Sequence, residues 1–278
     1  METNEEYHAD TARLSNSMLS VLAKRNGPQL FDGYYVSKTL AILEQTESMA
    51  LGEMVHCLVL EPEEFPHRFF IKPAGLDRRT KEGKATYANL LASGKTVASL
   101  DDYETAEGCA NAILTHDSLD MLNGVHHLGK SMIEKRIDFE LDGVPMRCKP
   151  DWVNLDLALI VDVKTTQDAS PAFQKSASEF GYYRQAWIYR EAVRLQTGID
   201  CRFLFACVET TKPYSVACYE PSEAMMRFGE NDAMALLSEY RYRFESDDWL
   251  QDWSKGIVPL DLPAWFKQRN FYDEMKTQ

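Results

Sequence analysis

The chain has 278 residues, of which 45% are hydrophobic and 26% are charged. This length fits one large domain, or two at most, and the composition is that of an ordinary globular protein. It excludes a disordered tail protein, a collagen-like fibre and a disulfide-stapled miniprotein. The formal net charge is −13, with 30 Lys and Arg against 43 Asp and Glu. That balance argues against broad, non-specific wrapping of nucleic acid, but it leaves room for a nucleic-acid enzyme, because a metal site concentrates carboxylates.

The sequence carries signals of its compartment. No run comes close to the roughly 20 apolar residues that a membrane span needs. The first residues, METNEEYHAD, are acidic and contain neither Lys nor Arg, which is the opposite of a signal-peptide start. We therefore expect a cytoplasmic protein whose cysteines, which form neither a CxxC pair nor a zinc spacing, are free thiols. They are Cys57, Cys109, Cys148, Cys201, Cys207 and Cys218.

The first half of the chain is predicted to be helical. A short helix over 10–24, capped by Ser15 or Ser17, ends at the breaker Asn26-Gly27-Pro28. Further helices are predicted at 47–60, 101–116 and 118–123, and a polar loop within 72–95 is predicted to lead into a helix around Lys84–Ala92.

The second half changes in character and is predicted to contain the sheet. Two strands, Ser131–Leu141 and Val144–Lys149, flank the hairpin turn Asp142-Gly143. A central strand is predicted at Ala158–Lys164 and a helix at 179–197. Two paired strands at Cys201–Glu209 and Tyr214–Tyr219 follow, and then a long helix at Pro221–Phe244. This order predicts an α/β fold with a mixed sheet of about five strands flanked by helices. We expect one domain over 1–278, with a helical part at about 10–125, a core at about 130–245 and an irregular tail.

Two acidic positions in the sheet region suggest a metal site. Asp151 ends the hairpin's second strand in Lys149-Pro150-Asp151, and Asp162 and Lys164 share one face of the central strand because residues two apart point the same way. Carboxylates about 4 Å apart on adjacent strands would repel by roughly 4 kcal/mol, which a divalent ion such as Mg²⁺ or Mn²⁺ removes. Lys164 could position or deprotonate a water, or stabilise developing charge, as in metal-assisted phosphodiester hydrolysis. An isolated Asp-x-Lys is more often a surface ion pair, so the prediction of a metal site depends largely on the upstream Pro-Asp.

Two helices add candidate residues. Gln185 and Tyr189 lie four apart on one helix face, where Gln could hold the lysine or a phosphate and Tyr could contact a nucleotide. The alternative is an ordinary amphipathic helix. His56 stands among apolar residues, as core histidines do, but Gly52 one turn earlier leaves space beside an imidazole that can bind a divalent ion.

In this order, these features resemble one family: the nuclease domain of RecE-type prophage exonucleases, in the PD-(D/E)xK superfamily with lambda exonuclease and the RecB nuclease domain. The similarity runs from about residue 11 to 268. It is carried by SNSMLSVLAKRNGPQLF, ALGEMVHCLVLEPEEFPHRF, DRRTKEGKA, SMIEKRIDFELDGVPMRCKPD, LIVDVKTT, YYRQAWIYREA and DLPAW. The combined pattern H…E…PD…DVKTT…QxxxY is far more specific than any of its parts.

The resemblance implies a restriction-endonuclease-like core that has exonuclease activity. It implies a 5′→3′ exonuclease that acts on double-stranded DNA ends and uses one or two ions per active site, Mg²⁺ or possibly Mn²⁺. Such an enzyme releases 5′-mononucleotides and leaves 3′ single-stranded overhangs for recombination by strand annealing. It also implies a trimeric or tetrameric homo-oligomer ring, an annealing partner of RecT or Beta type, no membrane association, and a prophage- or phage-encoded protein in a bacterial cytoplasm.

The resemblance assigns roles to matching positions. Asp151, Asp162, His56 and the Val163 carbonyl match the metal ligands, and Lys164 matches the catalytic lysine. The superfamily often has Glu where Asp162 stands, and the shorter side chain leaves the metal geometry open. Further matches are Gln185 and Tyr189 of the QxxxY motif, and Glu134 as an acidic position at the start of the hairpin's first strand.

DNA contacts are the least specific assignment. Arg78 and Arg79 are the preferred pair for a terminal phosphate, because arginine can bind phosphate through two parallel hydrogen bonds. A basic cluster is nevertheless more often only a solvated face. The full set of candidates is Arg25, Arg78, Arg79, Lys81, Lys84 and Arg184.

Two alternatives remain at this point. The same core could serve an endonuclease or a single-strand-specific nuclease. The second alternative is a catalytically silent DNA-end-binding subunit, which is disfavoured because Asp151, Asp162 and Lys164 are all present.

Overall fold

The computed structural model describes residues 4–41, 46–72, 80–81, 84–85, 90, 94–124, 129–250, 252 and 256–266. Among these residues no helix combines the length and apolar character needed to cross a bilayer. All six cysteines carry free thiols, and Cys218 alone of them is not fully buried.

Helices surround the sheet region on several sides. The α-helices are α1 (Asn4–Ala9), α2 (Asn16–Leu22), α3 (Gly27–Phe31), α4 (Glu47–Leu60), α5 (Phe65–Arg68), α6 (Leu100–Leu114), α7 (Phe173–Glu179), α8 (Tyr182–Thr197) and α9 (Glu223–Ser246). A π-helical segment at Asp32–Val36 and 3₁₀ turns at Pro62–Glu64 and Asp117–Leu122 join them. The predicted boundaries of α4 are confirmed, and Ser15 caps α2 by accepting from the Met18 amide.

The strands form one main sheet and two small ones. They are β1 (Phe69–Ile71), β2 (Thr96–Ala98), β3 (Ser131–Ile133), β4 (Ile137–Leu141), β5 (Val144–Cys148), β6 (Trp152–Asn154), β7 (Leu159–Thr166), β8 (Arg202–Glu209) and β9 (Val216–Tyr219). The main sheet has the order β3-β6-β7-β8-β9, in which β7 and β8 are parallel and the other pairs antiparallel. The prediction of a mixed five-stranded sheet flanked by helices is therefore confirmed.

The two faces of strand β7 pack against different helices. Leu159, Val161 and Val163 belong to a buried cluster with α4 and α6. Ile160 belongs to a second cluster with α7 and α8. Because side chains alternate along a strand, Asp162 lies on the α8 face, opposite the helix that carries His56.

Two predictions about these elements were wrong in detail. The hairpin β4–β5 is a separate two-stranded sheet, and a short strand, β6, follows Asp151 and pairs with β7 instead. The helix predicted over 179–197 begins only at Tyr182, because Gly181 adopts a left-handed conformation with φ of 69° that ends one helix and starts another.

The N-terminal helices pack on the hairpin and on the last helices. The chain at Leu14 pairs with β5, donating to the Pro145 carbonyl at 2.9 Å and accepting from the Arg147 amide at 2.8 Å. The Tyr7 ring of α1 lies under the buried Arg147 guanidinium, 4.2 Å away, with the Lys149 ammonium 5.8 Å from the same ring. The N-terminal segment thus lies beside the residues that precede Asp151.

Candidate active site

The helix α4 reaches the carboxyl end of β7 through a glycine. A Cβ atom at Gly52 would lie 3.3 Å from the Thr165 hydroxyl, which is tighter than ordinary packing. The bare glycine therefore allows a close helix–strand contact. His56, one turn further along α4, is then directed toward Asp151.

His56, Glu134 and Asp151 form a compact group of potential metal ligands. His56 Nδ1 lies 3.4 Å from Asp151 Oδ2 and 3.7 Å from Glu134 Oε1, and one donor atom from each residue falls within 4.8 Å of the others. The Val163 amide donates to Asp151 Oδ2 at 2.7 Å, and the Lys149 ammonium lies 3.0 Å from Glu134 Oε2. Each carboxylate is thereby fixed from a second side.

Glu134 occupies a different position from the one predicted. It lies in the turn between β3 and β4, with φ of 46°, and its amide donates to the Asp151 carbonyl at 3.0 Å. A non-glycine residue in the left-handed region is uncommon and is held by its surroundings. The backbone contact joins the two acidic residues directly.

The charges of this group are strongly coupled. Burial by itself lowers the pKa of His56, but the Asp151 and Glu134 carboxylates outweigh burial and raise the pKa to about 9. Burial raises the pKa of Asp151 to about 7, and the neighbouring Asp162 and Glu134 act in the same direction. Burial opposes ionisation of Glu134 too, yet hydrogen bonding to His56 and the charge of Lys149 lower its pKa to about 2.

Asp162 and Lys164 form a second, adjoining group with the QxxxY helix. Asp162 is fully buried; its Oδ2 contacts the Lys164 ammonium, and its Oδ1 accepts from Gln185 Nε2 at 3.1 Å. Gln185 is in turn hydrogen-bonded to Tyr189, whose pKa burial raises well above its ordinary value. Gln185 thus holds the aspartate, rather than the lysine or a phosphate as the sequence suggested.

The donor set fits a hard divalent cation. The group offers two carboxylates and one imidazole, and the Lys149 and Lys164 ammonium groups lie against Glu134 and Asp162. Asp162 Oδ2 makes no polar contact other than with Lys164 among the described residues. Carboxylate oxygens suit Mg²⁺ and Mn²⁺, and an imidazole is compatible with Mn²⁺. His56, Glu134 and Asp151 are the residues that would hold the ion.

We expect Mn²⁺ to raise the midpoint of thermal unfolding, because an ion that binds only the folded state stabilises it. At a free concentration about 100 times Kd the gain is about 2.7 kcal/mol, a shift on the order of 5 °C. Glu134→Gln removes one anionic ligand while keeping size and polarity, so the shift should largely disappear. Asp200→Asn, an exposed carboxylate paired with Arg190, is the control and should keep the shift. Equal shifts in wild type and Glu134→Gln would contradict the site.

Four of the six predicted DNA-contacting residues fall within the described part of the chain. Arg25, Lys81 and Lys84 are exposed, and Arg78 and Arg79 lie outside the described residues.

The assignment of Arg184 to DNA phosphates is corrected. Its side chain is 3% exposed and donates to Asn16 Oδ1 at 2.9 Å, Ser20 Oγ at 2.7 Å and Asp232 Oδ2 at 2.6 Å. With its donors directed into the protein, this guanidinium ties α8 to α2 and α9 and has no access to a bound nucleic acid.

Two residues of the site had received no role from the sequence. Lys149 contacts Glu134, and the Tyr182 ring lies 4.9 Å from the Lys164 ammonium. Lys149 could have been identified, because it stands two residues before Asp151 in the Lys-Pro-Asp motif. Tyr182 had no local signal, since its contact depends on where α8 begins.

Comparison with known proteins supports the fold. The sequence model of the "PDDEXK-like domain of unknown function (DUF3799)" matches residues 31–248. A crystal structure from Eubacterium rectale, described as a candidate exonuclease, matches with a TM-score of 0.62 and 13% identity, covering 96% of this chain and 98% of the other. The structure of SSO0001 matches 66% of this chain and 85% of its own at 12% identity, with a TM-score of only 0.27. No curated protein matches the chain in sequence.

Proposed function

The chain belongs to the family of PDDEXK-like domains, and on that premise we propose that it is a metal-dependent nuclease. The observation that carries the proposal is the juxtaposition of two groups. The ligand group His56–Glu134–Asp151 adjoins Asp162 and Lys164, linked to them through the Val163 amide. A metal-ligand group beside a largely buried lysine can supply both the Lewis acid and the positive charge that promote phosphodiester hydrolysis.

The residues divide the chemistry between them. The cation held by His56, Glu134 and Asp151 would polarise the scissile phosphate and promote ionisation of a water. Lys164, held against Asp162, would orient the attacking water and stabilise charge on the phosphate oxygens. Gln185 and Tyr189 would fix the Asp162 carboxylate. Water would add a hydroxyl to phosphorus, and the departing sugar oxygen would take up a proton.

We further propose a specific substrate and direction: double-stranded DNA ends, digested 5′→3′ with release of 5′-mononucleotides. The bond broken would then be that between phosphorus and the 3′ oxygen of the released nucleotide. This proposal is supported by the extended resemblance to RecE-type enzymes, which includes LIVDVKTT and YYRQAWIYREA. Mg²⁺ as the natural ion, a closed homo-oligomer ring and a strand-annealing partner protein belong to the same proposal. A ring also accommodates the net charge of −13, because only its channel needs to be basic.

The test is digestion of a linear duplex labelled at one 5′ end, with Mg²⁺ and with EDTA, beside a covalently closed circular duplex. We expect Mg²⁺-dependent release of the labelled mononucleotide and an intact circle. Late release of the 5′ label, after the strand has been shortened from its other end, would contradict the direction. Cutting of the circle would instead identify an endonuclease, and an inert protein with both Mg²⁺ and Mn²⁺ would identify a silent DNA-binding module.

A further inference from the structure

An exposed aromatic side chain stands at the break between α7 and α8. Phe180 follows the last residue of α7, and its amide donates to the Ser176 carbonyl at 2.9 Å. The left-handed Gly181 then turns the chain into α8. The Phe180 side chain is 57% exposed although it lies in a well-formed turn. The turn itself depends on the backbone and Gly181, so it gives no reason for a large apolar ring there.

The ring of Phe180 is the outer end of an aromatic row that begins at the catalytic lysine. The Lys164 ammonium lies 4.9 Å from the Tyr182 ring centre, and the Phe180 ring lies 5.8 Å from Tyr182 at an angle of 35°. The Tyr182 ring also stacks on the Phe173 ring, which is 5.9 Å away at an angle of 26°. Phe173 in turn stacks on Tyr219 at 5.7 Å. This packing makes Tyr182 a rigid support, with Phe180 as its solvent-facing neighbour.

We propose that Phe180, supported by Tyr182, is a stacking platform for a nucleobase next to the scissile phosphate. The inference rests on the proposed nuclease function and adds the group that positions the substrate strand. A phosphate at Lys164 brings its own nucleotides to this rim of the site, and every base offers a π face for stacking whatever its identity. An aromatic platform therefore adds affinity without sequence preference, which suits an enzyme that digests one nucleotide after another.

The chain contains a matched control for this residue. Phe244, near the end of α9, is 61% exposed and its ring lies 5.6 Å from Tyr240 at 28°. Tyr240 packs with Phe31 and Trp249, away from the lysine and the ligand group. Phe180 and Phe244 therefore share exposure and ring support and differ in their proximity to the catalytic residues.

The experiment measures kcat/KM for Phe180→Leu, Phe180→Trp and Phe244→Leu on linear duplexes, each intact or abasic at one of the first nucleotides of the digested strand. Leucine keeps apolar volume but removes the ring. On the intact duplex we expect Phe180→Leu to lose about tenfold, mainly through KM, while Phe180→Trp and Phe244→Leu stay close to wild type. At one abasic position the kcat/KM of the wild type should fall about tenfold, whereas the kcat/KM of Phe180→Leu should fall no further than on the intact duplex. A merely structural role for the ring would not create that dependence on one base.

Each outcome decides the proposal. The platform would be overturned if the loss in kcat/KM from Phe180→Leu multiplied with the loss from the abasic site at every abasic position. Equal effects of Phe180→Leu and Phe244→Leu would also overturn it. In both cases the proposed nuclease function would stand. A wild-type protein that hydrolyses no duplex would overturn the proposed function itself, and the platform with it.

Discussion

Asp162→Asn should lower the rate of phosphodiester hydrolysis by about 10³-fold or more. The carboxylate is fully buried against the Lys164 ammonium and the Gln185 amide, so its charge cannot be replaced by solvent. Losing several kcal/mol of stabilisation in the transition state corresponds to a factor of this size. Single-turnover cleavage of a labelled duplex measures the loss. Asp200→Asn is the control and should cleave at the wild-type rate.

The same substitution should also destabilise the protein, because it leaves the Lys164 cation buried without its partner. Removing one member of a buried ion pair costs about 3–5 kcal/mol. Adding Lys164→Met removes the orphaned charge, so the double variant should regain most of that stability in urea unfolding and still fail to cleave. Recovery of cleavage in the double variant would show that neither residue takes part in the chemistry. Wild-type activity in Asp162→Asn would refute the assignment of Asp162.

Arg184→Met should lower the free energy of unfolding by about 3 kcal/mol. The variant keeps the length of the side chain but leaves Asn16, Ser20 and Asp232 without their shared donor. Arg194→Met, on the same helix, is the control. Arg194 is 50% exposed and paired with Glu191, an arrangement that contributes at most about 1 kcal/mol.

A second measurement separates this structural role from DNA binding. An arginine on a DNA phosphate contributes about one unit to the slope of log affinity against log salt. We expect Arg184→Met to leave that slope unchanged. A shallower slope with unaltered stability would restore the phosphate-binding role expected from the sequence.

The sequence was most informative where a local signal determined the structure. The limits of α4 followed from its apolar run and Pro62, the hairpin from Asp142-Gly143, and the pairing of Asp162 with Lys164 from the two-residue period of a strand. Each of these needs only neighbouring residues. The family resemblance then indicated which of the many polar residues belong together.

The remaining features depend on contacts between distant parts of the chain. Glu134 reaches Asp151 through a left-handed turn between two strands, and no sequence pattern specified that turn. Arg184 stood in an ordinary basic helix, and its burial depends on Asn16, more than 160 residues away. The separation of His56 from Asp162 follows from β7 having helices on both faces, which is a property of the assembled sheet.

The packing of the N-terminal helices limits how far the chain can be truncated from its N-terminus. The region that matches the family begins at residue 31, after α1 and α2. Yet Tyr7 covers Arg147 and Lys149, and Asn16 and Ser20 complete the shell around Arg184, next to Gln185. A fragment trimmed to the family boundary would lose all of these partners. The stretch that matches the family is thus shorter than the stretch whose contacts surround the candidate site.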